Sequence, residues 1–401
     1  MSGFIADRLS AVKPSPTLAV TQKAKELKDA GVDVIGLGVG EPDFPTPAHI
    51  VDAAKKALDA GDTKYVAVAG TLAFRKAICD KLKRENGLSY TPDQITVGCG
   101  GKGVLYNAFT ATVNEGDEVI IPAPYWVSYP AMVALNGGVS VFVNTKEENG
   151  FKLTAGELEA AITPKTKWLV LNSPSNPSGA AYSREELKAL ADVLERHEHV
   201  WVLSDEIYEH IVYDGFKTVS IAAVSEAVKK RALVVNGLAK SFSMTGWRIG
   251  YAAGDETLIK AMNKIQSQSV THATSFCQTA GVAALNSPMD FLKDRNDVFK
   301  RRRDMVIDRL NKTGKITCRT PEGAFYLYPS IEKCIGLTTP KGVKINTDAD
   351  FASALLEEAA VAVVPGVAFG LSPYFRLSYA TSDELLSKAC DRIDAFCASL
   401  K

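Results

Sequence analysis

Ala232-Leu-Val-Val-Asn-Gly-Leu-Ala-Lys240-Ser-Phe-Ser-Met-Thr-Gly-Trp-Arg248 is the stretch on which the reading of this chain turns. An apolar run, Ala232 to Val235, ends in a short loop that presents one lysine, and an arginine follows eight residues later, after a Thr-Gly-Trp turn. A lysine at the mouth of a strand packs badly but is well placed for covalent chemistry. Its amine has an ordinary pKa of about 10.4, so at neutral pH it is a poor nucleophile unless its surroundings or an imine change that. Pyridoxal phosphate takes such an amine as a Schiff base, and Arg248 would offer a fixed fork to a phosphate. The same residues also read as a surface lysine and a structural arginine, so the rest of the chain has to decide.

Outward from this segment, strands and helices alternate. Strand patterns occur at Ile95–Val97, Glu118–Ile121, Val139–Val143, Lys167–Asn172, Val200–Ser204, Ala232–Asn236 and Arg248–Ala252. Helical patterns at 103–113, 126–135, 184–196 and 256–268 separate most of them. Near-continuous apolar strands in such alternation predict an α/β fold, a mostly parallel sheet flanked by helices on both faces. Before it come an amphipathic helix at 18–30, a short strand from Val32 to Gly38, the proline-rich loop Gly40-Glu-Pro-Asp-Phe-Pro-Thr-Pro47, and helices at 48–60 and 70–85. After a long charged helix at 288–311 the pattern changes. Thr317–Arg319, Ala324–Tyr328, Ala360–Val364 and Phe375–Ser378 read as short strands around helices at 348–359 and 383–400. The expected organisation is a large cofactor-binding domain over 46–300 and a smaller α+β domain built from 1–45 and 301–401.

Bulk properties narrow the function. A length of 401 residues with 46% apolar residues supports a sizeable core. Lys+Arg and Asp+Glu are equal, at 46 each, which argues against a nucleic-acid footprint or a membrane-surface protein. Seven cysteines without a CxxC pair suit reduced thiols in a cytosol-like compartment. Five histidines include no HExxH, His197-Glu-His199 reads as the end of a surface helix, and no metal site is expected. Met1 to Pro16 lacks a signal-peptide core and no segment reaches membrane-spanning length, so a cytoplasmic protein is expected.

In open parallel sheets ligands bind beyond the carboxyl ends of the strands. Several chemically apt residues follow such ends here. Gly98-Cys-Gly-Gly-Lys102-Gly103 leads into a helix, and backbone amides at a helix N-terminus favour an anion. The segment has neither the Walker spacing nor GxGxxG, and a plain tight turn reads as well. Asp205-Glu-Ile-Tyr208 follows the strand ending at Ser204. A buried carboxylate there would pair with a protonated pyridine nitrogen and keep the ring an electron sink, with Tyr208 facing the same pocket. An N-cap aspartate and a core tyrosine are the plain alternative. Ser173-Pro-Ser-Asn176-Pro-Ser-Gly179 is a rigid loop that would hold the Asn176 amide toward a ring substituent. Trp126, in Pro122-Ala-Pro-Tyr-Trp126, would stack on a flat ring or simply pack. Arg376 lies in Tyr374-Phe-Arg376-Leu-Ser-Tyr. An arginine in an apolar strand is costly unless paired, and a substrate carboxylate is a natural bidentate partner.

Taken together, GEPDF at 40–44, PAPYW at 122–126, NSPSNPSG at 172–179, SDEIYEH at 204–210, Lys240 with GWRIGY at 246–251, PEGAFY at 321–326, VVPG at 363–366 and FRLSYATS at 375–382 resemble the fold-type I pyridoxal-phosphate-dependent aminotransferases, class I. Within that family the chain is similar to the bacterial-type aspartate aminotransferase branch, some of whose members also act on prephenate. The resemblance runs over essentially the whole chain. It implies pyridoxal 5′-phosphate as cofactor and Lys240 as its Schiff-base lysine. Asp205 is implied as the partner of the ring nitrogen, and Tyr208 and Asn176 as the pair at the ring oxygen. Arg248, Gly100, Gly101 and Lys102 would lie on the phosphate side, and Trp126 would stack. For the substrate it implies Arg376 at the α-carboxylate, Gly40 as a backbone contact, Lys102 with Thr17 at the side-chain carboxylate, and Lys13 at a position linked to prephenate use. Tyr65, in Lys64-Tyr-Val-Ala-Val-Ala-Gly70, would reach the phosphate of a neighbouring subunit, so active sites would be shared across a homodimer.

The implied reaction is transfer of the amino group of L-aspartate to 2-oxoglutarate, with prephenate or aromatic amino acids as further substrates. Small-molecule amino acids and 2-oxo acids are then the partners. Another pyridoxal-phosphate reaction on the same fold, such as an aromatic aminotransferase or a β-lyase, is the alternative. Some positions depart from the family pattern. Ala239 stands where many relatives carry a phosphate-binding serine, Gly103 where glutamine is usual, and Pro45 where an acid is usual. The resemblance implies that the unusual segment Val270-Thr-His-Ala-Thr-Ser275 faces the substrate pocket of the partner subunit, where His272 would alter side-chain specificity.

Overall fold

The computed structural model describes residues 4–12 and 16–401, the side chains of residues 16–18 excepted. Seven strands form its main sheet: β1 (Ile95–Cys99), β2 (Glu118–Ala123), β3 (Val139–Asn144), β4 (Thr166–Asn172), β5 (Trp201–Asp205), β6 (Ala232–Gly237) and β7 (Ile249–Ala253). Their order across the sheet is β1-β7-β6-β5-β4-β2-β3. All neighbours are parallel except β7, which runs antiparallel to both β1 and β6.

Side chains of successive strand residues point to opposite faces, and here both faces are apolar and covered except at the edge strand β3, which is partly exposed. Val119, Ile121, Val170, Leu203, Leu233 and Val235 pack with Phe109, Leu258 and Met262 on one side. Ile120, Leu169, Leu171 and Val202 pack with Leu187, Leu190 and Leu194 on the other. This double burial explains why the strands read as unbroken apolar runs. The helix Arg184–Arg196 begins at Ser183, whose hydroxyl accepts the amide of Glu186 while the Glu186 carboxylate accepts the amide of Ser183. Such reciprocal capping is written in the Ser-x-x-Glu spacing.

The expected strand at Arg248–Ala252 starts one residue later, because Arg248 itself sits in the left-handed region at φ 56°. The reversal of β7 is what matters for the site. Six strands end at one edge of the sheet, at Cys99, Ala123, Asn144, Asn172, Asp205 and Gly237, and β7 begins there, opposite Cys99 and Gly237. The expected helix at 103–113 spans Gly100–Thr112, so the glycine pair forms its first turn. Gly100 allows this by adopting φ +77° directly after β1.

The C-terminal region packs a second core with the first fifty residues. Ile35–Gly36 pairs in parallel with Val361–Ala362, and Phe375–Ser378 lies antiparallel between Val364–Pro365 and Tyr326–Leu327. Ile35 and Leu37 pack there with Phe325, Phe351, Phe375 and Phe396, joined by Tyr208 and Ile211 from the loop after β5. The strand expected at Thr317–Arg319 is a single bridge from Thr317 to Ser330. Ala324–Tyr328 shortens to Tyr326–Leu327, since Ala324 turns the chain at φ 56°. Ala360–Val364 divides into two short strands behind Ala360, which ends a helix in the left-handed region. The helix Ser275–Asn286 carries no amphipathic stripe because most of its surface, Cys277, Gln278, Ala280, Gly281, Ala284 and Leu285 included, is buried.

A buried ion pair ties the helix Leu72–Asn86 to the loop after β5. Lys81 donates to Glu209, whose carboxylate also accepts from Asn86 Nδ2 at 2.9 Å and from Asn236 Nδ2 at 2.6 Å. Burial opposes ionisation of Glu209, but Lys81, His210 and the Asn86 amide outweigh it and hold the carboxyl down at about 2. Glu85, Glu209 and His210 converge in the way a metal site would, and the Lys81 ammonium lies against both carboxylates. Removing one partner of a buried pair strands the other charge. Lys81→Met is therefore expected to lower unfolding stability by about 3 kcal/mol, measured by urea denaturation. A loss within experimental error would show that this pair is not a structural tie.

Candidate active site

The loop after β6 carries Lys240 to the carboxyl edge of the sheet. Its Nζ donates to the Gly40 carbonyl at 2.6 Å and lies 5.8 Å from the ring centres of Tyr208 and Phe325. A side chain on residue 40 would collide with the Tyr326 hydroxyl, so only glycine brings this carbonyl to the amine. Loss of water lowers the amine pKa to about 8; Arg376 and Arg248 act in the same direction, and Glu41 and Asp205 oppose them.

Asp205 ends β5 and is buried at 6% exposure. Its Oδ2 accepts from the Tyr129 hydroxyl at 2.6 Å and its Oδ1 from the Ile207 amide at 3.3 Å. Burial raises the carboxyl to about 6, against the pull of those two donors and of Lys240. The β4 end is stitched to it: Asn172 Nδ2 donates to the Asp205 carbonyl at 2.9 Å, and Asn172 Oδ1 accepts the Asn176 amide at 2.8 Å. Tyr208 is buried, and its hydroxyl lies 2.8 Å from that of Tyr326.

Arg376 is buried at 4% exposure in its strand. Nη1 donates to Asn176 Oδ1 at 2.9 Å and Nη2 to the Gly38 carbonyl at 2.5 Å, while Nε has no hydrogen-bond partner among the described residues. The guanidinium lies 4.8 Å from the Tyr326 ring centre and 4.9 Å from that of Phe369. Its neighbours therefore supply neutral acceptors and ring faces, not an acid.

On the opposite flank, Arg248 donates Nη1 to the Thr245 carbonyl at 2.8 Å, and its guanidinium lies so close to Gly100 that a Cβ there would strike it. Lys102 holds its Nζ 4.9 Å from the Trp126 ring centre, with its pKa lowered by desolvation and by Arg248. Trp126 in turn stands edge-on to Tyr129, 5.3 Å between centres. The helix Gly100–Thr112 has no side-chain cap at Cys99, in contrast to the helices capped by Ser183, Asp255 and Thr347. Its first-turn amides, Gly101 and Lys102 among them, are thus the free donors of a helix N-terminus.

The structure brings Lys240, Asp205, Tyr208, Asn176, Arg376 and Gly40 together, with Arg248, Gly100, Gly101, Lys102 and Trp126 on the adjoining flank. It does not bring Tyr65 to them. That residue is 88% exposed and stands edge-on to His272, 5.7 Å between ring centres. Lys13 lies outside the described residues, and Thr17 is described only as part of the helix Pro16–Asp29.

Residues 32–393 match the sequence model of the family aminotransferase class I and II. The chain belongs to the class I and II aminotransferases. It is 59% identical over 397 residues to the aspartate/prephenate aminotransferase of Cereibacter sphaeroides, covering 99% of each chain. Its fold superposes on the aspartate aminotransferase of Rhizobium meliloti with a TM-score of 0.97 at 52% identity, over 99% of each chain. The aspartate aminotransferase of Thermus thermophilus with maleate gives 0.92 at 44% identity, over 99% of this chain and 100% of that one.

The cofactor of this aminotransferase is pyridoxal 5′-phosphate. The residues present fit it on chemical grounds. An amine lowered to about 8 suits an aldehyde, a buried carboxylate suits a ring cation, and an uncapped helix N-terminus beside an arginine suits a phosphate. Two members of the site were missed in the sequence. Tyr129 was passed over beside Trp126, although a tyrosine just past a strand end is a polar handle in an apolar place. Tyr326 was read only as part of a motif, and its partner Tyr208 is 118 residues away.

The shifted amine makes a testable expectation. Burial disfavours the charged form, so Lys240 is protonated and inert below its pKa and free above it. In the cofactor-free enzyme, reductive alkylation of Lys240 by a small aldehyde and borohydride, read by mass spectrometry, should rise with a midpoint near pH 8. A midpoint at the ordinary value of about 10.4 would mean the amine is solvated.

Proposed function

We propose that this aminotransferase transfers the amino group of L-aspartate to 2-oxoglutarate by a ping-pong reaction, with prephenate as a further substrate. The observation that carries the reading is Arg376. A buried guanidinium with an unpartnered Nε and no acid among its hydrogen-bond partners, on the same site as the Lys240 amine, calls for a substrate carboxylate beside a reacting amino group. The names of relatives support the donor: aspartate aminotransferase in Rhizobium meliloti and aspartate/prephenate aminotransferase in Cereibacter sphaeroides. The maleate of the Thermus thermophilus structure, a four-carbon dicarboxylate, supports a second carboxylate site.

When bound, pyridoxal phosphate supplies an aldehyde that takes up the amino group and a ring that draws electrons from the bonds to Cα. In the proposed mechanism Lys240 would hold the cofactor through Nζ, and the same atom, as a free amine, would take up the Cα proton and give it back. The Asp205 carboxylate would pair with the ring nitrogen and keep a proton there, with Tyr129 fixing the acceptor. Tyr208 and Asn176 would bind the ring oxygen, and Trp126 would cover the ring face. Arg248 and the Gly100–Lys102 turn bind the phosphate. Arg376 fixes the α-carboxylate and Gly40 adds a backbone contact. Orientation of this kind contributes up to roughly 7–11 kcal/mol. Lys102, with Thr17, reads the side-chain carboxylate, and Lys13 serves prephenate.

The same reading makes the working unit a homodimer, in which Tyr65 of one copy reaches the phosphate of the other; its 88% exposure in a single chain supports this. It divides the chain into a large domain at 46–300 and a small one at 1–45 and 301–401. It also assigns the protein to the cytoplasm, which the seven free cysteines support. Among the described residues no helix is long and apolar enough to cross a membrane.

Purified enzyme offered aspartate, glutamate, prephenate and aromatic amino acids, with matching 2-oxo acids, tests the substrate. Aspartate with 2-oxoglutarate should be turned over, and its failure while aromatic donors react would overturn the reading. Lys240→Ala should lower kcat by about 10⁴-fold or more, the upper range for a positioned acid–base group. Near-native turnover by that variant would refute the assignment of Lys240.

A further inference from the structure

The segment 266–279 acts as a clamp on the loop that carries Tyr65. That loop, 62–71, has no strand of its own. Gln266 Nε2 donates to the Val68 carbonyl at 2.6 Å, and Gln278 Oε1 accepts the Thr71 amide at 2.8 Å. Ser275 Oγ donates to the Asp62 carbonyl at 2.8 Å, and Thr279 Oγ1 to the Asp62 carboxylate at 2.7 Å. These tethers fix the two ends and the middle of the loop. At Tyr65 itself the contact comes from His272.

The His272 ring is set by its own backbone. Nδ1 lies 2.8 Å from the Ala273 carbonyl, an acceptor only, so Nδ1 carries the proton and Nε2 is left as an acceptor. Nε2 accepts the Val66 amide at 3.4 Å, one residue past Tyr65. The ring also meets the Tyr65 ring edge-to-face, at 5.7 Å and 88°, a favoured aromatic geometry. The backbone delivers His272 to this place at a cost. Thr271, a β-branched residue, sits at φ 64°, held by its amide bond to the Gln266 carbonyl at 3.0 Å. The His272 carbonyl faces Cys99 Sγ at 3.9 Å, next to the Gly100 turn.

We propose that His272 is a positioning residue for Tyr65, holding that exposed ring and its loop at the angle needed to meet the cofactor phosphate in a second copy of the chain. The proposal rests on the reading of Tyr65 given above. It concerns a residue that touches neither cofactor nor substrate in its own chain, and it predicts coupling between two side chains.

Holoenzyme carrying His272→Ala, Tyr65→Phe or both tests it, with retention of pyridoxal phosphate on dilution read from the absorbance of the bound cofactor. Both single variants should bind the cofactor more weakly, His272→Ala by about fivefold, the size of one hydrogen-bond contribution. The double variant should be no weaker than Tyr65→Phe alone, because His272 acts through the hydroxyl that Tyr65→Phe removes. His272→Gln, which keeps an acceptor near the place of Nε2, should recover most of the retention, and it serves if His272→Ala fails to fold. Unchanged retention in His272→Ala, or a further loss in the double variant, overturns the proposal while leaving Tyr65 its role. Unchanged retention in Tyr65→Phe overturns the reading of Tyr65, and the role of His272 falls with it.

Discussion

A guanidinium withdrawn from water, with no carboxylate among its hydrogen-bond partners, sets the terms for this molecule. Taking a charge out of water costs several kcal/mol, and an acid normally offsets it. Arg376 has instead two neutral acceptors, Asn176 Oδ1 and the Gly38 carbonyl, and two ring faces. These hold the cation in place without neutralising it. The Lys240 amine lies close enough for Arg376 and Arg248 to depress its pKa further. The buried carboxylate beside them, Asp205, is itself raised to about 6. The site therefore sets desolvated positive charge against a buried acid, Asp205, that is already committed to Tyr129 and the Ile207 amide.

Sheet topology is what allows such an arrangement to fold. No single element carries more than a few of these groups: Lys240, Asp205 and Asn176 lie at or just past the ends of strands buried on both faces, Arg248 just before one, and Arg376 within its own short strand. The apolar strands supply the stability, and the polar ends are offsets against it. The reversed strand β7 is essential to this economy: it brings Arg248 to the same edge from the amino side, opposite Cys99 and beside the Gly100 turn. The C-terminal unit closes the site from the other side, since Phe375–Ser378 and Tyr326–Leu327 carry Arg376 and Tyr326 on adjacent strands.

Much of this was legible in the sequence because the signals were local. Each main strand is an apolar run followed by a chemically odd residue, and an arginine in an apolar strand has few innocent explanations. The boundaries that failed did so for local conformational reasons. Arg248, Ala324 and Ala360 adopt positive φ where an L-residue is not expected to, and each cuts a strand short or ends a helix. Helix Ser275–Asn286 was invisible because a helix buried on most sides has no period to detect. Tyr129 and Tyr326 were missed because their partners lie 76 and 118 residues away, and long-range hydrogen bonds leave no mark on spacing.

The charge inventory also bears on substrate choice. On the proposed reading the substrate α-carboxylate pairs with Arg376, and the doubly charged phosphate with Arg248 and the helix N-terminus. That leaves Lys102, whose ammonium lies over Trp126 and whose pKa is lowered by desolvation and by Arg248. With a monocarboxylic substrate this cation would be covered without a partner, and desolvation would work against closure. A dicarboxylic substrate puts a second negative charge beside it, and the same low-polarity surroundings then strengthen the attraction. Discrimination by a partly desolvated charge of this kind acts by penalising the wrong ligand as much as by rewarding the right one. On that argument the proposed preference for aspartate over neutral amino acids follows from one unmatched ammonium, and an apolar donor is accepted only as far as Lys102 can turn back to water.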